Sequence, residues 1–351
     1  MYEKMKQVRP KKHLGQHFLV DLNIARRIAD TVDTPFPELP VLEVGPGMGV
    51  MTQYLLEKPR PVKVVEIDRE SVAYLREHFP AFERREESSL EERREERGER
   101  REDGLSPAFE RREERGERRE ESSGAVEEEK SKAEERLIEG DFLRLDLSEV
   151  FGGQPFVLTG NYPYDISSQI FFHMLDYRDI IPCCTGMIQH EVALRLAAKP
   201  GNKQYGVLSV LMQAWYDVEY LFTVEPDVFN PPPKVRSAVI RMTRNATKDL
   251  GCDPQLFRRV VKAVFNQRRK MLRVSLRQLL PDVASPSLGA IDLTRRPEQL
   301  SVQEFVQLTN AVAAALPATT AAQQPRDTTN ETDVPGAERD GEGDSRDLEF
   351  H

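Results

Sequence analysis

Val41-Leu42-Glu43-Val44-Gly45-Pro46-Gly47-Met48-Gly49 runs from an apolar strand into a turn with glycine at every second position. Glycines after a strand permit a tight turn and let the backbone approach a ligand closely. The spacing, Glu43-X-Gly45-X-Gly47-X-Gly49, is not the G-x-G-x-x-G of dinucleotide binders. Working outward, Val50 to Glu57 reads as the following helix and Val62 to Ile67 as a second strand, closing with Glu66 and Asp68. Glu70 to Phe79 continues as helix, and upstream Asp21 to Val32 has helical apolar spacing with Asp21 as N-cap. This strand–turn–helix–strand rhythm predicts a mostly parallel α/β sheet with ligands at the carboxyl ends of its strands.

Residues 83–135 break the rhythm. Pro80 to Glu87 recurs as Pro107 to Glu114, and Arg93 to Glu102 recurs residue for residue as Arg111 to Glu120. Such Glu/Arg tracts have little to bury, so this segment reads as a duplicated surface insertion, disordered or a lone helix. The pattern resumes at Leu137-Ile138, ending in Gly140-Asp141. It continues with a strand Phe156 to Leu158, a helix Ile166 to Leu175, a strand Thr185 to Gln189 and a helix Gly206 to Trp215. Tyr216 to Val224 and Val235 to Met242 alternate as a closing antiparallel pair. Beyond them, Leu256 to Phe265, Lys270 to Leu280 and Val302 to Leu316 read as helices of a smaller domain. The expected organisation is an α/β domain over 1–82 and 136–248, the insertion 83–135, a helical domain over 249–316 and a disordered acidic tail over 317–351.

The net charge of −9 argues against a nucleic-acid partner until its position is considered. Residues 83–135 hold 14 Lys and Arg against 21 Asp and Glu, and 317–351 hold 3 against 9, so the remainder carries +4. Pro254 to Leu280 holds eight basic residues and no acid. These residues can track a nucleic-acid backbone. The three cysteines include the neighbours Cys183 and Cys184 and no Cys-X-X-Cys pair, so no disulfide framework is expected. No apolar run reaches the roughly 18 residues of a membrane span, and Met1 to Pro10 has no signal-peptide segment. A cytoplasmic protein without membrane association is expected. Six scattered histidines have no ligand spacing, so no metal site is expected.

The chemistry lies at the strand ends. Glu66 ends the second strand, where a carboxylate can take two ribose hydroxyls, and Asp141 ends the third, placed to accept from an adenine amino group. With Gly45 they fit S-adenosylmethionine (SAM) better than NAD. Asn161-Tyr162-Pro163-Tyr164 ends the strand at Thr159-Gly160 and suits presentation of an exocyclic amine to an electrophile. The Asn161 side-chain oxygen and the Tyr162 carbonyl can accept both amine hydrogens while the Tyr164 ring stacks on a flat heterocycle. A sulfonium methyl needs neither metal nor strong base, only an acceptor held in line.

Together these motifs resemble the KsgA family of ribosomal RNA adenine dimethyltransferases. The similar blocks are Lys12 to Leu19, Glu43 to Gly47, Asn161 to Tyr164, Phe229 to Ser237 and Phe265 to Lys270, within roughly 9–82 and 136–312. The resemblance implies a Rossmann-like class I SAM-dependent methyltransferase domain with a small C-terminal all-helical domain. It implies dimethylation of two adjacent adenines in the 3′-terminal hairpin loop of small-subunit rRNA, within a pre-ribosomal small subunit, by a monomer. Carried over by position, His17, Leu19, Gly45, Glu66, Asp141 and Asn161 line the SAM site. Asn161, Tyr162, Pro163 and Tyr164 form the catalytic turn, and Phe229 faces Tyr164 across the base pocket. Arg268, Arg269, Lys270 and Arg273 contact RNA. His17 stands where many members carry Asn, and Tyr162 replaces the usual Leu. Asp165 stands where Asn is common.

Two other readings compete. One is the related macrolide-resistance enzyme of large-subunit rRNA, against which the Phe265 to Arg273 block and Arg296 to Ser301 weigh. The other is a methyltransferase-like assembly or transcription factor without turnover, against which the intact Asn161-X-Pro-Tyr164 weighs.

Overall fold

A computed structural model of the chain describes residues 8, 10, 11, 16–83, 136–281 and 287–316. The repetitive insertion from residue 84 onward, the acidic tail and Lys12 to Gly15 of the N-terminal motif lie outside the described residues. The strands are β1 (Phe18–Leu19), β2 (Val41–Val44), β3 (Val62–Glu66), β4 (Leu137–Glu139), β5 (Val157–Gly160), β6 (Cys183–Gln189), β7 (Tyr216–Val224), β8 (Phe229–Asn230) and β9 (Ser237–Arg244). Seven of them form one sheet in the order β4-β3-β2-β5-β6-β9-β7. The five from β4 to β6 run parallel, and β9 and β7 close the edge antiparallel. Strands β2 and β5 in the middle are buried throughout, so they show no alternation, and their polar members Glu43 and Thr159 are buried with the valines and leucines.

Helices cover both faces. On one side α1 (Leu22–Asp30), α2 (Thr52–Leu56) and α3 (Arg69–His78) share a core with Val41, Val62, Val64 and Val157. Asp21 caps α1, its carboxylate accepting the Asn23 and Ile24 amides, and Asp68 caps α3. The other side carries α4 (Leu147–Val150), α5 (Ser167–Asp176), α6 (His190–Ala197) and α7 (Val207–Gln213). Their core runs on without a break into the C-terminal helices α8 (Pro254–Phe265), α9 (Leu272–Ser275) and α10 (Val302–Ala315), through Phe257, Val261, Phe305 and Leu308.

The structure departs from the sequence reading at four places. The helix expected over Lys270 to Leu280 is α9 followed by a 3-10 turn at Leu276–Gln278. Its first amides, of Leu272 and Arg273, pair with the carbonyls of Arg295 and Leu293 instead of continuing a helix from α8. Strand β9 starts at Ser237, because Lys234 to Arg236 belong to the loop after Pro231-Pro232-Pro233. Helix α6 leaves β6 with no intervening loop. Two short ribbons, β1 with β8 and β10 (Ser287–Leu288) with β11 (Ile291–Asp292), have no signature in the apolar pattern.

One glycine in β6 sets a tight limit. Gly186 has φ 139°, and a Cβ there would stand 2.3 Å from the Gly160 carbonyl oxygen and 2.8 Å from the Tyr162 ring. We expect Gly186→Ala to cost about 3 kcal/mol or more of stability, the range of overpacking plus backbone strain. A urea unfolding midpoint equal to that of the parent would refute this account.

Candidate active site at the strand ends

Strand register builds the site. Val44 of β2 lies opposite Val65 of β3 and Gly160 of β5, so the chain leaves the sheet at Gly45, Glu66 and Asn161 side by side. Glu66 in turn pairs with Glu139 of β4, which places Asp141 two residues beyond the same edge. Gly45, Gly47 and Gly49 have φ of 66°, 56° and 75°, a conformation open to glycine and costly for other residues. A Cβ on Gly47 would press on the Phe18 ring and one on Gly49 on the Phe79 ring, whereas one on Gly45 would meet nothing within 4 Å. Gly45 thus borders open space at the sheet edge while its neighbours are packed.

Glu66 closes that cradle. It is buried, with Oε2 accepting the Gly47 amide at 3.0 Å and Oε1 accepting the Asp68 amide at 2.8 Å. Burial raises its carboxyl above the ordinary range, and these amides oppose the shift. Burial would raise Asp68 too, but hydrogen bonds from Lys11 and Gln16 carry its carboxyl below the usual value. Lys11 Nζ also lies 3.2 Å from Glu70. Asp141 accepts the Leu143 amide at 3.0 Å and is one-third exposed, with Arg144 3.6 Å away.

The Asn161 turn is fastened on three sides. Asn161 forms a β-bridge with Met187 of β6, and the Tyr162 amide donates to the Met187 carbonyl at 2.9 Å. Asn161 Nδ2 donates to the His17 carbonyl at 3.2 Å, which leaves Oδ1 as the acceptor of that amide. The Tyr162 side chain is fully buried, its hydroxyl donating to the Thr185 carbonyl at 2.9 Å and its ring set edge-on to Phe171. The Tyr164 hydroxyl is hydrogen-bonded to the buried Ser237 hydroxyl, and the His17 ring stacks on the Tyr164 ring. Burial holds the Tyr164 phenol above its usual range, so it stays neutral. Leu19 and Phe229 are buried partners in the β1–β8 ribbon.

The ribosomal RNA adenine dimethylase profile matches residues 7–87 and 121–314. The chain belongs to that family. Membership makes it a SAM-dependent methyltransferase of ribosomal RNA. The Phocaeicola vulgatus "Ribosomal RNA small subunit methyltransferase A" is 56% identical over 309 residues, covering 88% of this chain and 91% of that protein. The Bacteroides thetaiotaomicron protein of the same name is 56% identical over 317 residues, covering 90% and 99%. Among solved structures, a Plasmodium falciparum dimethyladenosine transferase aligns with TM-score 0.55 at 19% identity, over 83% of this chain and 96% of that one. The 23S rRNA methyltransferase ErmE aligns with TM-score 0.51 at 22% identity, over 84% and 99%. These likenesses establish the class I methyltransferase fold. The profile match breaks at 88–120, within the repetitive segment.

Within this family frame, the structure gathers Leu19, Gly45, Glu66, Asp141, Asn161, Tyr164 and Phe229 at or behind one sheet edge, and turns the His17 ring toward Tyr164. The basic residues divide. Arg269, Lys270 and Arg273 are exposed, whereas Arg268 is half-buried, donating to the Asn202 carbonyl at 3.2 Å and lying 4.0 Å from Glu298. Arg258 lies over the Phe172 ring at 5.2 Å. Ser237 and Asp68 escaped the sequence reading as site residues, although Ser237 closes the Phe229 block and Asp68 follows Glu66 by two. Among the described residues no group of His, Cys, Asp and Glu is placed to hold a metal, and no helix is long and apolar enough to cross a membrane. The three cysteines are free thiols.

Glu43 lies beneath the glycine turn, buried in β2 opposite Thr159 of β5, and its Oε2 has no hydrogen-bond partner among the described residues. Burial pushes its carboxyl up from about 4.5 to about 8, and the nearby Glu66 acts in the same direction. A raised pKa means the fold holds a proton that the unfolded chain has already released. The stability tied to that proton is full below pH 4.5 and is lost as pH rises toward 8. We therefore expect the parent protein to lose stability relative to Glu43→Gln across that window, by about 1.4 kcal/mol per pH unit at most. Chemical denaturation of both proteins from pH 5 to pH 9 measures it, and parallel stability curves would refute it.

Proposed function

We propose that this protein dimethylates the N6 amines of two adjacent adenosines in the 3′-terminal hairpin loop of small-subunit rRNA. It acts as a cytoplasmic monomer on a late pre-ribosomal small subunit. The small-subunit enzymes at 56% identity support this substrate over the large-subunit alternative. The observation that carries the reading is the Asn161 amide, tied through Nδ2 to His17 so that Oδ1 serves as acceptor beside Gly45 and Glu66.

Bound SAM supplies a methyl already activated on a sulfonium. Open space over Gly45, the buried carboxylate of Glu66 and the one-third exposed carboxylate of Asp141 fit a nucleoside bearing an amino-acid arm. Leu19, Gly45, Glu66, Asp141 and the backbone around His17 would hold it, with Asn161 at the boundary between donor and acceptor. An adenine N6 is a weak nucleophile because its lone pair is delocalised into the ring. Two acceptors, Asn161 Oδ1 and the Tyr162 carbonyl, favour a pyramidal nitrogen whose lone pair is freed from that conjugation. They hold the developing positive charge more strongly than they hold the neutral amine, which stabilises the transition state over the ground state. Pro163 stiffens the turn. Tyr164, anchored by Ser237, offers its face to a base extruded from its stack, and Phe229 lies behind the opposite wall. Arg269, Lys270 and Arg273, with the less available Arg268, contact the RNA backbone.

Incubation with labelled SAM and unmethylated small subunits, followed by mapping of the labelled nucleotides, tests the substrate. Label on two adjacent adenines near the 3′ end is expected, and label confined to large-subunit rRNA would overturn the reading. Asn161→Ala should lower kcat about 10²- to 10³-fold, the usual cost of removing one transition-state acceptor or donor. Its RNA affinity should stay within about threefold. Equal losses in kcat and RNA affinity would contradict the transition-state role.

A further inference from the structure

His17 lies between Tyr164 and the end of β8. Its ring stacks on Tyr164 with centroids 5.5 Å apart and planes 30° apart. Its Nδ1 lies 2.9 Å from the Pro231 carbonyl, one residue past the end of β8. The next two residues, Phe18 and Leu19, pair with Asn230 and Phe229 of that strand. The imidazole therefore bridges from Tyr164 to the segment that carries Phe229. A purine held between two rings needs them roughly 7 Å apart, twice the contact distance of carbon atoms. At 5.5 Å no base fits between His17 and Tyr164.

The backbone of the same residue has another task, because its carbonyl accepts the Asn161 amide. Ring and carbonyl are separable, since rotation about the Cα–Cβ bond swings the ring without moving the backbone. The ring is only half-buried, so it has solvent to move into. We infer that the His17 ring is the resting occupant of the acceptor face of Tyr164, and that an extruded adenine takes this face by displacing it while the His17 carbonyl keeps its hold on Asn161. This rests on the methyl-transfer reading of the site. The displacement breaks one aromatic contact and one hydrogen bond to Pro231, so the base binds more weakly than it would to a bare Tyr164. Asn, the residue at this position in many family members, has no ring to place there.

His17→Ala and His17→Asn test it in the full chain. Two quantities are measured: SAM affinity by calorimetry without RNA, and KM for unmethylated small subunits. Removing the ring should lower KM about two- to tenfold, the worth of one aromatic contact, with the SAM dissociation constant within about twofold of the parent. Unchanged or raised KM in both variants would overturn the inference. So would SAM binding weakened about fivefold or more, since the ring would then belong to the donor site. Methyl transfer by the parent protein in the same assay separates these outcomes from a failure of the reaction itself.

Discussion

The site depends on the register of three parallel strands. Because Val44 lies opposite both Val65 and Gly160, the glycine turn, Glu66 and Asn161 emerge together from one edge of the sheet. A slip of one residue in either pairing would turn the buried faces over and separate donor groups from acceptor groups. The register is then reinforced above the sheet. Glu66 takes amides from Gly47 and from Asp68, so one carboxylate ties the turn after β2 to the turn after β3. Asn161 and Tyr162 tie the turn after β5 to Met187 of β6. The crevice is rigid because each turn that borders it is bonded to its neighbour and not to itself alone.

Charge is arranged with similar economy. Two acids, Glu43 and Glu66, stand close together beneath the glycine turn, where we propose that a cationic sulfonium is received. Were both ionised and buried, their repulsion and desolvation would work against the fold. Glu43 resolves this by remaining protonated near neutral pH, with burial raising its carboxyl to about 8. Glu66, with two amides on its oxygens, is the better placed to carry the charge. The Glu66 oxygens are held by backbone groups that do not titrate. Asp68 stays ionised through Lys11 and Gln16 and fixes the residue whose amide steadies Glu66.

Much of this architecture is visible in the chain because parallel strands buried on both faces are mainly apolar, and because a turn of positive φ favours glycine. Val41 to Gly49 and Val62 to Glu66 are readable for those reasons, whereas the closing pair is read from alternation, with its second strand expected from Val235 and found from Ser237. What could not be read is whatever depends on contacts distant in sequence. The β1–β8 ribbon joins two-residue strands about 210 residues apart, a spacing without periodicity for any local rule to detect. The position of the His17 ring follows from that ribbon, so a residue placed by resemblance in the SAM site has its ring on Tyr164. Ser237 is one more hydroxyl at a strand start until the fold brings Tyr164 to it. Arg258 and Arg268 read like the other basic residues of their segment, yet the fold spends them on Phe172 and on the Asn202 loop.

Tyr162 shows how a departure from the family pattern is accommodated. Its ring lies over two glycines: a Cβ on Gly160 would stand 3.3 Å from it and one on Gly186 2.8 Å. The slot that admits a ring where Leu is usual is therefore open because both flanking strands present bare backbone. The hydroxyl, buried with the ring, would be costly without a partner, and the Thr185 carbonyl satisfies it. That bond adds a fastening between the catalytic turn and β6 which a leucine could not make. The acceptor proposed for the amine is the backbone carbonyl of residue 162, whereas the exchanged side chain is anchored on Thr185 and Phe171. Chemistry assigned to the main chain tolerates a change of side chain so long as the new one packs, and here two glycines and one carbonyl meet that condition.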